Sequence, residues 1–131
     1  MNYLFDSSAI FRLVRDNRIE LLLGGHTIKL AQYEIGNIFW KEVKFHKRMD
    51  EQAAKHLLSD TYKALSAMDI KEVTDERGVL SLALALGITF YDASYAHEAG
   101  KLGVPFITGD EKLKFKVEKS IKTIRVDEIL K

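Results

Sequence analysis

The chain has no cysteine and a single proline among its 131 residues. Disulfides and thiolate metal sites are thereby excluded. Amides are scarce: glutamine occurs only as Gln32 and Gln52, and asparagine only as Asn2, Asn17 and Asn37. Few thermolabile side chains beside many Lys and Glu point to a thermophile. No apolar run approaches the ~18 residues of a membrane span, so no membrane association is expected. The opening MNYLFDSS lacks a basic leader region, and no signal peptide is read there. With cysteine absent as well, a cytoplasmic location is favoured. An excess of one charge is also missing, since 20 Lys+Arg face 19 Asp+Glu for a net +1. A chain so balanced does not coat nucleic acid by bulk charge, and any such binding needs a local patch. The length is that of one domain with one core, spanning residues 1–131.

Short apolar runs alternate with helical periodicity. Tyr3–Phe5 reads as a buried strand, followed by a helix from about Ser8 with Ile10, Phe11, Leu13 and Val14 at helical spacing. Gly24-Gly25 ends that region. Thr27–Leu30 is a second strand, and a long helix follows from Tyr33 to Lys47. Asp50 caps a further helix carrying Leu57, Leu58, Leu65 and Met68. Ile70–Val73 reads as a strand. The segment through Val79, Leu80, Leu82, Leu84 and Leu86 is apolar nearly all round, which predicts a buried helix stopped by Gly87. Strands at Ile88–Phe90, Val104–Ile107 and Lys122–Val126 then alternate with helices over 92–101 and 110–118. The pattern predicts an α/β fold, a three-layer α/β/α sandwich with a mainly parallel central sheet. Ligands in such sheets bind beyond the carboxyl ends of the strands.

Acids recur at these joints. Asp6, Asp92 and Asp110 each follow a strand in this reading, and Glu34 follows Thr27–Leu30. Any one of the three aspartates is an ordinary helix cap, worth ~1 kcal/mol. Four acids converging on one edge are another matter. Two carboxylates ~5 Å apart repel by ~3 kcal/mol at an effective dielectric of about 20. Such a group needs protons or cations between its members. All-oxygen clusters suit hard divalent cations, here Mg²⁺ or Mn²⁺, which can activate a water and steady the leaving oxygen of a phosphodiester. Ser7 and Ser8 flank Asp6, and either can cap the first helix or support the site. Asn37 stands one turn after Glu34 on the same helix face. Thr108 precedes Asp110 by two residues and points the same way from an extended segment.

Competing chemistries lack their motifs. There is no GxGxxG or GxxxxGK[ST] phosphate loop, no HExxH pair among the four histidines and no GxSxG serine. The aspartyl-phosphate pattern DxDxT fails because its second acid position is Ser8.

The segments YLFDSSAI, YEIGNIFWKE and YDASYAHEAGKLGVPFITGDEKL together resemble a PIN domain, most closely the VapC-type toxins of toxin–antitoxin pairs, from residue 2 to about 126. The first and third segments carry the resemblance most specifically. It implies a metal-dependent ribonuclease that hydrolyses RNA phosphodiesters. Asp6, Glu34 and Asp92 would hold Mg²⁺ or Mn²⁺, and Asp110 would complete the site directly or through water. Ser7, Asn37 and Thr108 match polar positions that accompany those acids. Ser8 departs from the pattern, since many members carry Asn there. The resemblance also implies a homodimer and an antitoxin that covers the cleft, with the helix pair 33–68 as its seat.

Two basic runs could meet RNA. Lys41, Lys44, Lys47 and Arg48 lie along the helix of Glu34, and Lys112 and Lys116 follow Asp110 at i,i+4 spacing. Lys41, Lys44 and Lys112 are the candidate substrate contacts, against the plain alternative of a solvated face. Phe39 fits the core, whereas an exposed Trp40 would mark an interface. Three other readings share these features: a solitary PIN nuclease in RNA processing, a PIN-like module that binds or regulates without cleaving, and a phosphatase acting on small esters.

Overall fold

A computed structural model describes residues 2–131. Five short parallel strands form the central sheet: β1 (Leu4–Phe5), β2 (His26–Ile28), β3 (Asp69–Lys71), β4 (Phe106–Thr108) and β5 (Thr123–Arg125). Their order is β3-β2-β1-β4-β5. Leu4 pairs with His26 on one side and Phe106 on the other. Seven helices connect and cover them: α1 (Ser7–Arg15), α2 (Leu30–Lys44), α3 (Glu51–Ser66), α4 (Glu76–Leu86), α5 (Phe90–Leu102), α6 (Glu111–Val117) and α7 (Val126–Ile129). The sheet centre is dry, with Leu4, Phe5, Phe106 and Ile107 fully buried, as strands covered on both faces require.

The strand order places the site. The chain leaves β1 toward β2 and leaves β4 toward β5, in opposite directions across the sheet. Right-handed crossovers then send α1 to one face and α6 to the other. The crevice between the carboxyl ends of β1 and β4 is therefore the switch point at which such folds bind ligands. Asp6 follows β1 immediately, and Asp110 follows β4 after one glycine.

Four expectations need correction. Ile88–Phe90 is not a strand. Gly87 closes α4 in the left-handed region at φ 67°, and Thr89 already caps α5 by accepting from Asp92 N at 3.0 Å. Only Ile88 lies between the two caps, and α4 and α5 turn by 111° across this break. Asp92 thus arises in the first turn of a helix at a helix–helix joint. Nor is α4 buried all round. Val79 and Ala83 face inward, while Leu80 is 51% and Leu84 75% exposed. The second strand ends at Ile28, so α2 starts at Leu30, three residues earlier than its apolar spacing indicates. The last strand is shorter than expected, since Val126 opens α7. Among the described residues no single helix is long and apolar enough to cross a membrane.

Candidate active site at the carboxyl edge of the sheet

Asp6 caps α1. Its Oδ1 accepts from Ala9 N at 2.9 Å and from Ser8 Oγ at 2.7 Å, and its Oδ2 accepts from Thr108 Oγ1 at 2.5 Å. The residue is only 4% exposed. Burial pushes its carboxyl up from 3.8 to about 6, against the pull of those three hydrogen bonds, and the charge of Asp92 adds to the rise. Ser8 ties the two strand ends together, since its Oγ also accepts from Gly109 N at 2.9 Å. Thr108 Oγ1 in turn accepts from Asp110 N at 3.1 Å. Asp110 caps α6 through Leu113 N at 3.1 Å.

Glu34 comes from the second turn of α2. Its Oε1 receives Ser7 Oγ at 3.1 Å and the Tyr95 hydroxyl at 2.7 Å. Tyr95 was not read as a site residue. It lies three residues after Asp92, one turn along α5, which is the signal that marks it. Burial first, and then the bond to Glu34, push its hydroxyl up, so it stays a donor. Asp92 is half-buried. Burial raises its carboxyl, and the charges of Glu34 and Asp110 raise it further.

The four acids are therefore electrostatically joined, with Asp92 in the middle. None of them has an ion-pair partner among the described residues, although most other acids in the chain do. Among the described residues, no three His, Asp or Glu side chains stand close enough to hold a metal ion directly. The donors left over still suit a hard cation. Each carboxylate oxygen offers two lone pairs. Asp6 Oδ1 has used both and Oδ2 one, while Glu34 Oε1 has used both and leaves Oε2. A hydrated cation held by one or two carboxylates, and through its waters by the others, fits such a set.

The expected neighbours divide. Ser7, Ser8 and Thr108 each bond a site acid. Asn37 is exposed and makes no side-chain hydrogen bond among the described residues. Lys112 and Lys116 line a cavity of about 170 Å³ together with Asp92, Asp110 and Thr89. Lys41 lies on the other flank, in a cavity that reaches Ser8. Lys44 is exposed at the end of α2 and lines neither cavity. Trp40 is half exposed and meets Phe45 edge-on, with ring centres 4.9 Å apart.

No family model matches the chain. Two curated relatives do, both from Pyrobaculum aerophilum. Exonuclease VapC9 is 34% identical over 92% of this chain and 90% of its own length. Ribonuclease VapC3 is 36% identical over 67% of each. The crystal structure of PAE2754 from the same organism superposes with a TM-score of 0.80 at 35% identity, covering 99% of this chain and 96% of that one. VapBC2 from Rickettsia felis, bound to a DNA fragment from its promoter, shares the fold at 15% identity, with a TM-score of 0.65 over 95% and 98% of the two chains. The chain belongs to the VapC family of PIN-domain proteins.

Proposed function

We propose that this protein is a metal-dependent endoribonuclease and the toxin of a toxin–antitoxin pair. The carrying observation is the set of four carboxylates at the carboxyl edge of the sheet, where Asp92 is repelled by Glu34 and Asp110 and itself repels Asp6, with no ion-pair partner for any of the four among the described residues. The relative named a ribonuclease supports RNA as the substrate, and the one named an exonuclease supports nuclease chemistry.

Asp6, Glu34, Asp92 and Asp110 would hold hydrated Mg²⁺ or Mn²⁺, one or two of them directly and the others through its waters. When bound, the ion supplies a Lewis acid for the phosphate and lowers the pKa of a water. The chain's residues do the positioning. Ser8 and Thr108 hold the Asp6 carboxylate in one orientation, and Ser7 and Tyr95 both bond Glu34 Oε1 and leave Oε2 unbonded among the described residues. Burial keeps Asp6 and Asp92 poorly solvated, which strengthens their attraction for a cation. Lys112 and Lys116, on the Asp110 side, and Lys41, along α2, would supply positive charge for the strand on either side of the acids.

Two apolar surfaces suit protein partners. Leu80 and Leu84 on α4, continued by Phe90 and Tyr91 at the start of α5, suit a second copy of the chain. The groove between α2 and α3, lined by Phe39, Trp40, Val43 and Leu58, suits an antitoxin segment. The VapBC complexes among the fold neighbours support an antitoxin partner. Such a protein would work in the cytoplasm, where its RNA is.

The test is incubation of linear and circular single-stranded RNA with Mg²⁺, with Mn²⁺ and with chelator, beside Asp92→Asn. Metal-dependent cutting of the circle that Asp92→Asn loses is the expected result. Cutting of linear RNA alone would make the protein an exonuclease, and no cutting of either would leave a binding module.

A further inference from the structure

A second cavity, of about 300 Å³, opens between α1 and α2 on the flank of the acids away from Asp110. Ser8, the residue that holds Asp6, forms one end of it. Arg15, Lys41, His46 and Arg48 gather at the other. Arg15 and Lys41 lie seven residues beyond Ser8 and Glu34, roughly 10 Å along their helices. The cations thus stand apart from the acids, and Ser8 is the link between the cavity and Asp6.

One of the cations is paired with a buried anion that also lines the cavity. Glu42 is 5% exposed, and its carboxylate faces Arg48 Nε at 3.3 Å. Arg48 is brought back to the groove by Lys47, whose φ of 51° is uncommon for a residue with a Cβ. Its own N–H bonds Glu42 O at 2.9 Å. Backbone in this region persists where the surroundings enforce it, and it gathers at functional sites. Arg15 uses its Nε on Asp16 Oδ1 at 3.1 Å and lies over the Phe11 ring. Both guanidinium groups therefore keep their terminal N–H donors, and Lys41 has no ion-pair partner among the described residues. Forked donors beside a free ammonium are the chemistry that grips a phosphate.

We infer that this cavity is a second phosphate site, seating an internal backbone phosphate of the bound strand at a distance from the one that is cut. The inference rests on the ribonuclease reading. Glu42 fixes Arg48 and leaves Lys41 and Arg15 as the residues that contact the ligand most freely.

The test uses fluorescein-labelled single-stranded RNA and fluorescence anisotropy in chelator, so that binding is measured without cleavage. Lys41→Ala and Arg15→Gln are compared with wild type, since both leave the Glu42–Arg48 pair in place. Each is expected to bind several-fold more weakly and to flatten the salt dependence by about 0.7 in slope, the value of one phosphate contact on a single strand. RNAs with one neutral methylphosphonate, moved along the strand, should weaken wild-type binding at one internal position, and that penalty should vanish in Lys41→Ala. Unchanged slopes and an unchanged methylphosphonate penalty in both variants would overturn the inference. So would wild type that binds no RNA, or a penalty that follows only the 5′-terminal phosphate. Loss of metal-dependent cutting with these binding results intact would sink the nuclease reading and spare the phosphate site.

Discussion

Asp6→Asn is expected to make the metal-free protein more stable at pH 7 while abolishing cleavage. Raising the Asp6 carboxyl from 3.8 to about 6 amounts to ~3 kcal/mol of disfavoured charge at pH 7. Asparagine keeps the oxygen that caps α1 and accepts from Ser8, and its amide can donate to Thr108 Oγ1 in place of the present bond. The gain is therefore up to ~3 kcal/mol, or about 10 °C in melting temperature for a domain of this size. A folded-state value above the unfolded one means the folded protein binds the proton more tightly. Wild type should accordingly gain stability as pH falls through about 6, by roughly 1 kcal/mol between pH 7 and pH 5. Below that, Asp16 and Asp69, held low by their hydrogen bonds to Arg12 and Lys71, begin to lose stabilisation and mask the effect. Urea unfolding in chelator at intervals from pH 5 to pH 7.5 reads both quantities. Wild-type stability that is flat across this range, with Asp6→Asn no more stable at pH 7, would refute the argument. Adding Mg²⁺ should reverse the order, raising wild type by RT ln(1+[Mg²⁺]/Kd) and leaving the variant unmoved.

Further expectations concern other parts of the molecule. Tyr95→Phe removes the donor to Glu34 Oε1 and should weaken metal affinity 10- to 100-fold, roughly the loss typical of a residue that orients a ligand, as read by titration calorimetry. Leu84→Arg should turn the proposed dimer into a folded monomer, read as a halved mass in light scattering with the circular-dichroism spectrum unchanged, because the side chain is exposed in the single chain. Gly25→Ala should cost about 1–3 kcal/mol in chemical unfolding, since an added Cβ would lie 2.7 Å from the Phe5 ring and 3.1 Å from Leu22 O.

The alternation of helices and strands, and with it the parallel sheet, was legible because each element carries its own period and its own punctuation. Asp50 and Gly87 do at their helix ends what their residue types predict. The misreadings share one cause: pairing and burial are decided by distant parts of the chain. Ile88–Phe90 has the composition of a strand, but the caps at Gly87 and Thr89 leave only Ile88 between two helices and no room for one. Leu80 and Leu84 look like core because an apolar helix face is the same in sequence whether it meets the domain's interior or another molecule. The fold brings Asp6, Glu34 and Asp110 within electrostatic reach of Asp92 even though Asp92 follows no strand. Tyr95 was passed over because an aromatic residue at helical spacing reads as core, and it is indeed buried, with only its hydroxyl turned to Glu34.

The capping bonds at Asp6 and Asp110 bear on how this gene would drift if cleavage ceased to matter. Asp110 would be retained, since α6 needs a cap whether or not RNA is cut, so an acid there says little about activity. Position 6 would move the other way. Asparagine caps α1 as well and spares the fold a buried charge, so relaxed copies should slide toward it. Asp92 caps nothing and would be free to wander, whereas Glu34 would be held by the buried Tyr95 hydroxyl that it accepts from. A sister copy with Asn at 6 and Asp at 110 would then mark an inert descendant that still folds and, if the proposed antitoxin exists, competes with the active form for it.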